Sequence, residues 1–356
     1  GADLVIELPC VYAMASAEFF AYGAVKILDS LRAVDVLCFG SESGNIDDLK
    51  KVAEILVEEP EEYKNILKNY LSLGKSFPAA RQAALSDYFK LHGYDRDLSG
   101  LLRSSNNILG IEYLKALKRL NSNITPTTFE RVGNQYNSTV LSGELSSATS
   151  IRKAICENDW QVARELVKNT VPLATLTVLD REYGLGRFPV TPKRFETVLL
   201  SKLRSMSSEE ISRLPYMEYG LENRFKQAAD SSGSLEELID AVCTRRYPNT
   251  RIQRILFCLL IGLTQSDFDN FNKNGGPAYI RILGFNDTGR KLLSQIRDIA
   301  SLPIITKSAD FKNSELPGVA GMLKLESAAT DQYVLGYQNP AFRVSGSEFT
   351  RNILYK

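Results

Sequence analysis

The sequence predicts an α/β protein: a parallel sheet covered by helices on both faces in the first half, then a mainly helical second half. Two patterns carry this. Up to about residue 175, short apolar runs that read as strands alternate with stretches of helical spacing. Beyond it, one helical pattern follows another, and only LPIITK (302–307) is strand-like. The length of 356 residues is enough for two compact domains, expected at 1–175 and 176–356.

The elements follow in order. DLVIEL (3–8) is expected as a buried strand and SAEFFAYGAVKILDSL (16–31) as a helix with Phe20, Ala24, Ile27, Leu28 and Leu31 on one face. VDVLCFG (34–40) is a second strand that stops at a glycine. Helices are expected over 45–58, 60–73 and 77–91, and over 108–120 with Ser105 or Asn106 as cap. ITPTTFERV (124–132) is the third strand, after which SSATSIRKAI (146–155) opens a further helix. The Gly-, Pro- and Thr-rich stretch between 172 and 192 reads as the domain boundary.

Composition excludes several classes. With 43 basic and 42 acidic side chains the net charge is +1, so a nucleic acid must be held by a local patch. The longest apolar run, Ile255 to Leu263, is far short of the roughly 20 residues of a membrane helix. Cys10, Cys38, Cys156, Cys243 and Cys258 have no metal-ligand spacing and are expected as reduced, buried thiols in a cytoplasmic protein. His92 is the single histidine, expected in a solvated loop, so histidine dyads and His-rich metal sites are excluded and no metal ligands are assigned.

Three stretches carry candidate chemistry. SSATSIR sets Ser146, Ser147, Thr149 and Ser150 beside Arg152 at a helix start. First-turn N–H groups, hydroxyls and a guanidinium suit a phosphate, while the plainer reading is an ordinary N-cap. In SSNNILG (104–110), Asn106 or Asn107 either caps its helix or reads a base or ribose at the mouth of the sheet. Arg131, at the close of its strand, either pairs with its neighbour Glu130 or contacts a nucleotide. Ligands bind beyond the carboxyl ends of such strands, where Gly40-Ser41-Glu42-Ser43-Gly44 also falls. Neither GxxxxGK[ST] nor GxGxxG is present.

The third stretch, CTRRYPNTRIQRIL (243–256), groups Arg245, Arg246, Arg251 and Arg254 around Tyr247. Thr250 and Gln253 fit a capping box, and Arg251 and Arg254 are expected opposite the apolar stripe. Arginines with an interleaved aromatic suit RNA, while a solvated helix face is the alternative. AYIRILGFNDTGRKLL (278–293) is expected to extend that surface.

GADLVIELP, FGSESGNI, GKSFPAAR, SNNILGIEYLKAL, SSATSIRKAI, TRRYPNTRIQRI and PAYIRILGF together resemble the bacterial tRNA(Met) cytidine acetate ligase family. The resemblance implies a Rossmann-like nucleotidyltransferase domain and a helical domain that helps hold tRNA. It implies activation of acetate by ATP, with Mg²⁺, to acetyl-adenylate. The acetyl group would then pass to N4 of the wobble cytidine of elongator tRNA(Met), with no membrane or protein partner. It also implies that Gly40, Asn106 and Arg131 contact ATP. Ser147, Thr149 and Arg152 would then touch its phosphates, and Arg245, Arg246, Tyr247, Arg251 and Arg254 the tRNA. The family's histidine motif, of the form NPFHNGH, has no match in this sequence. Together with the start inside an apolar run, this gives the expectation of an N-terminally incomplete domain with little or no adenylating activity. Two rivals remain at this level: a nucleotidyltransferase with a small-molecule acceptor, and a non-catalytic tRNA-binding protein.

Overall fold

The computed structural model describes residues 1–94, 96–131 and 146–356, so Val132, the end of the expected third strand, lies outside the described residues. Six strands are described: β1 (Leu4–Ile6), β2 (Val36–Ser41), β3 (Thr125–Glu130), β4 (Ile280–Phe285), β5 (Ile304–Ile305) and β6 (Leu354–Tyr355). The described residues form two compact units, one of 15–94, 96–131 and 294–302, the other of 1–14, 146–293 and 303–356. The chain passes between units more than once, whereas the sequence texture suggests one boundary near 175.

In the first unit β2 and β3 pair in parallel, from Val36 opposite Thr125 to Ser41 opposite Glu130. Helices Ala17–Ser30, Ile46–Glu58, Glu61–Ser72, Phe77–Leu91 and Ser105–Arg119 accompany them, close to their expected positions. The Ser105–Arg119 helix packs on Ala17–Ser30, Ile46–Glu58 and β2. Its Ile111, Leu114 and Leu117 share a core with Val25, Leu49, Val52 and Phe89. Each such buried side chain contributes on the order of 1.5–3 kcal/mol over an exposed one, which fixes this helix against the strands.

The second unit corrects several expectations. DLVIEL does not join the parallel pair: β1 runs antiparallel to β4, and Val5 is 44% exposed. β4 also pairs in parallel with β5 and β6. The first half of the 278–293 stretch is therefore interior, with Ile280 and Ile282 buried, while Arg290 and Lys291 in its second half are exposed. Arg281 is buried too, donating to Glu7 at 2.8 Å and ion-paired to Glu348.

The Gly-, Pro- and Thr-rich stretch expected as a boundary contains the helix Leu173–Gly184, whose Leu176 packs with Trp160, Ala163 and Val167. Helices Gln265–Lys273 and Val319–Val334 also form, where the sequence pattern assigns no element. All five cysteines are free, but only Cys258 is buried; Cys38 and Cys156 are exposed. Among the described residues, no helix is long and apolar enough to cross a membrane.

Candidate functional site

The carboxyl ends of β2 and β3 form the first candidate site. The backbone N–H of Arg131 donates to the Ser41 carbonyl at 2.9 Å, carrying the parallel ladder one residue past β3. A Cβ placed on Gly40 would lie 3.1 Å from Arg131 Cγ and 3.2 Å from the Phe129 ring, so glycine lets the Arg131 stem lie flat over β2. Ser41 is buried, and its hydroxyl accepts from the Gly44 N–H at 3.0 Å. The Thr128 hydroxyl lies 2.8 Å from it and from the Phe39 carbonyl. Gly44, at φ 60°, turns the chain close over Glu130. Asn45 then starts the next helix by accepting from Asp47 N and Asp48 N.

The Ser105–Arg119 helix starts at the same place. Its N-cap is Ser104, whose side chain caps nothing, so neither Ser105 nor Asn106 is the cap. Glu42 takes that role from the far side of the loop. Its carboxylate accepts from Asn106 N at 3.1 Å, Asn107 N at 2.7 Å and Asn106 Nδ2 at 2.8 Å. Partial burial pushes the Glu42 carboxyl up, but the Asn106 side chain and the two backbone N–H groups outweigh it, so it ends below the usual carboxylate range. Asn107 is buried and accepts from Ser43 N at 3.1 Å. Asn106 is thus the half-exposed member of the pair. Among the described residues Arg131 forms no ion pair, with Glu130 or any other acid. Glu42 is readable in sequence as part of the strand-end loop, but its role is not, because its partners lie more than sixty residues ahead.

Ser147, Thr149 and Arg152 belong to the other unit. Ser147 is the N-cap of the helix Ala148–Glu157, accepting from Ser150 N at 3.0 Å, and both serines are buried. The plainer reading thus accounts for Ser147 and Ser150. Thr149 and the exposed Arg152 stay on the outside of the first turn, 3.4 Å apart.

The arginine stretch differs from its expectation. The helix runs Asn249–Ile261 after Pro248, with no side-chain cap, so the Thr250–Gln253 box does not form. Arg251 and Arg254 fold back instead of projecting. Arg251 donates to the Tyr216 carbonyl and pairs with Glu218 at 2.7 Å. Arg254 donates to the Met14 carbonyl at 3.0 Å and stacks over the Tyr216 ring. Arg246 reaches the other Glu218 oxygen at 2.8 Å. Both Arg246 and Arg251 lie 5.4 Å from the Tyr247 ring centre. Arg245 is exposed.

His92 ends the helix Phe77–Leu91, 2.8 Å from Glu62 and stacked on Tyr88. Among the described residues no group of three or more His, Cys, Asp or Glu is placed to hold a metal.

Polar side chains at the carboxyl ends of parallel strands flanked by helices are where α/β folds hold ligands. A family model for the HIGH nucleotidyl transferases matches residues 1–348. The tRNA(Met) cytidine acetate ligase of Acetivibrio thermocellus is 48% identical over 99% of this chain and 85% of its own length. That of Caldanaerobacter subterraneus is 44% identical over 99% and 84%. Among solved structures, apo Thermotoga maritima TmcAL superposes with a TM-score of 0.94 at 34% identity, over 100% of this chain and 85% of that one. TmcAL bound with alpha-thio ATP gives 0.92, also at 34% identity, over 100% and 84%. The chain belongs to the tRNA(Met) cytidine acetate ligase family.

Proposed function

We propose that the chain serves the ATP-dependent ligation of acetate to tRNA(Met). An acetate oxygen attacks the α-phosphorus of ATP, giving acetyl-adenylate and releasing pyrophosphate. N4 of the wobble cytidine of the elongator tRNA then takes the acetyl group and AMP leaves, giving N4-acetylcytidine. Charge builds on the phosphate oxygens during the first step, so catalysis rests on positioning and electrostatic stabilisation. Mg²⁺ enters as part of the MgATP substrate. The second step needs an unstacked base, which an anticodon loop can present. The cytoplasm is the setting that holds all three substrates.

The observation that supports this reading most is the meeting of Gly40, Asn106 and Arg131 at the ends of β2 and β3, with Arg131 unpaired among the described residues. In this reading Arg131 and Asn106 bind ATP; Thr149 and Arg152, with Ser147 holding their helix start, are proposed as anion contacts in their own unit. Arg245, Arg246 and Tyr247 meet tRNA, on a platform braced by Arg251 and Arg254. The family's histidine motif has no counterpart in the 356 residues, and His92 is engaged with Glu62.

Equilibrium titrations test the reading. Saturable ATP binding and separate binding of tRNA(Met) are expected. Binding of tRNA without ATP would favour a non-catalytic RNA-binding protein. ATP binding with no affinity for tRNA would favour a nucleotidyltransferase with a small acceptor.

A further inference from the structure

We infer that Glu42 is a positioning residue for nucleotide recognition: it locks the Asn106 amide so that its oxygen meets a hydrogen-bond donor of the bound nucleotide. The inference rests on the ATP site proposed above and adds a residue and a selectivity to it.

A carboxylate only accepts hydrogen bonds, so whatever faces it must donate. The Asn106 group 2.8 Å from Glu42 is therefore the NH₂ end of the amide, and the carbonyl end points elsewhere. The same carboxylate oxygen takes the Asn106 backbone N–H at 3.1 Å, and the other oxygen takes Asn107 N–H at 2.7 Å. Three donors on one carboxylate hold both the helix start and the amide. A free Asn side chain would turn either end of its amide to a ligand; this one spends an N–H on Glu42 and so keeps its carbonyl oxygen as an acceptor in a fixed direction.

Glu42 itself is held. It follows the buried Ser41, and the loop is tied down by Ser43 N to Asn107 and by Gly44 N to Ser41. Its ionised form also sits at the positive end of a helix of 15 residues. The amide orientation is thus fixed before any ligand arrives. ATP offers two kinds of donor to such an acceptor: the ribose hydroxyls and the adenine amine. Both satisfy Asn106 Oδ1 in the same way, and analogues separate them.

The test titrates the full chain with ATP, inosine triphosphate (no amine) and the 2′- and 3′-deoxy forms of ATP. Wild type is expected to bind at least one analogue about tenfold more weakly than ATP, since a site built to take a donor rejects a ligand that lacks it. Glu42→Gln offers an amide that can itself donate, which frees Asn106 to turn. Its penalty against that analogue is expected to fall to within about threefold. Glu42→Asp, too short to span the same donors, should show the same loss if the Gln variant does not fold.

A merely structural role would weaken all four nucleotides alike and leave their ratios intact; that result, or unchanged discrimination in both variants, overturns the inference while the ATP site stands. No discrimination by wild type overturns it as well. Absence of ATP binding, or an Arg131→Ala variant that binds ATP as wild type does, removes the ATP site and the inference with it.

Discussion

Arg131 is exposed at the end of β3 and spends no charge on a carboxylate among the described residues, so its guanidinium is available to a phosphate. Arg131→Ala should weaken ATP binding by about tenfold or more, as expected for losing one charge-assisted hydrogen bond, with unchanged thermal melting. Gly289 gives a sharper stability prediction. Gly289 lies in the helix Asp287–Ile296, where Gly→Ala ordinarily stabilises by up to about 1 kcal/mol. A Cβ on Gly289, however, would sit 2.0 Å from the Asp3 carbonyl oxygen and 2.9 Å from Phe285 Cβ. Steric overlap wins, and Gly289→Ala should lose roughly 1–3 kcal/mol in denaturant unfolding.

Glu7 carries a pH prediction. Burial, then the neighbouring Glu326 and Glu348, push its carboxyl up to about 8, and Arg281 opposes this only in part because it also serves Glu348. Cys10 and Tyr279, raised by burial and by Glu326, stay protonated beside it. The folded state therefore keeps a proton that the unfolded chain releases above its ordinary value of 4.5. This contribution to stability is complete below that value and is lost as pH rises towards about 8. Glu7→Gln should flatten the fall in melting temperature between about pH 5 and about pH 9; an unchanged slope would show that Glu7 does not hold this proton.

At the scale of elements, the helix Asn249–Ile261 shows what periodicity can and cannot tell. Its buried stripe of Ile252, Ile255, Leu256 and Leu259 follows from spacing alone. The fate of its arginines does not, because Glu218 and the carbonyls of Tyr216 and Met14 arrive from distant sequence. Arg251 and Arg254 brace the fold, so replacing them confounds binding with stability. Arg245→Ala with Arg246→Ala is the cleaner variant: tRNA affinity should fall, and the slope of log affinity against log salt should drop by about 1 for each phosphate no longer neutralised. An unchanged slope would remove RNA from this surface.

The strand-end site is partly legible in sequence for the same reason. Gly40 and Arg131 are readable from strand endings, and the helix of Asn106 from its pattern. Glu42 is not, since its task is set by a helix that starts far along the chain. The helix Leu173–Gly184 is hidden by its threonines and flanking prolines, and it forms because Leu176 finds Trp160 and Val167.

For the whole molecule, alternation of strands and helices is enough for the α/β class, and the order of the quoted motifs for the family. Which strands pair is not readable. β1 is only three residues long, and its partner β4 lies more than 270 residues ahead. Apolar content marks a strand but does not choose its neighbour. The same holds for Arg281, which looks like surface charge in sequence and is buried once Glu348 pairs with it and Glu7 accepts its hydrogen bond.

The central claim is that the ends of β2 and β3 grip ATP. A crystal structure of this chain with ATP tests it most directly. The account predicts the nucleotide at those strand ends, within hydrogen-bond distance of Asn106 and Arg131. ATP bound elsewhere, with both side chains turned away from it, would contradict it.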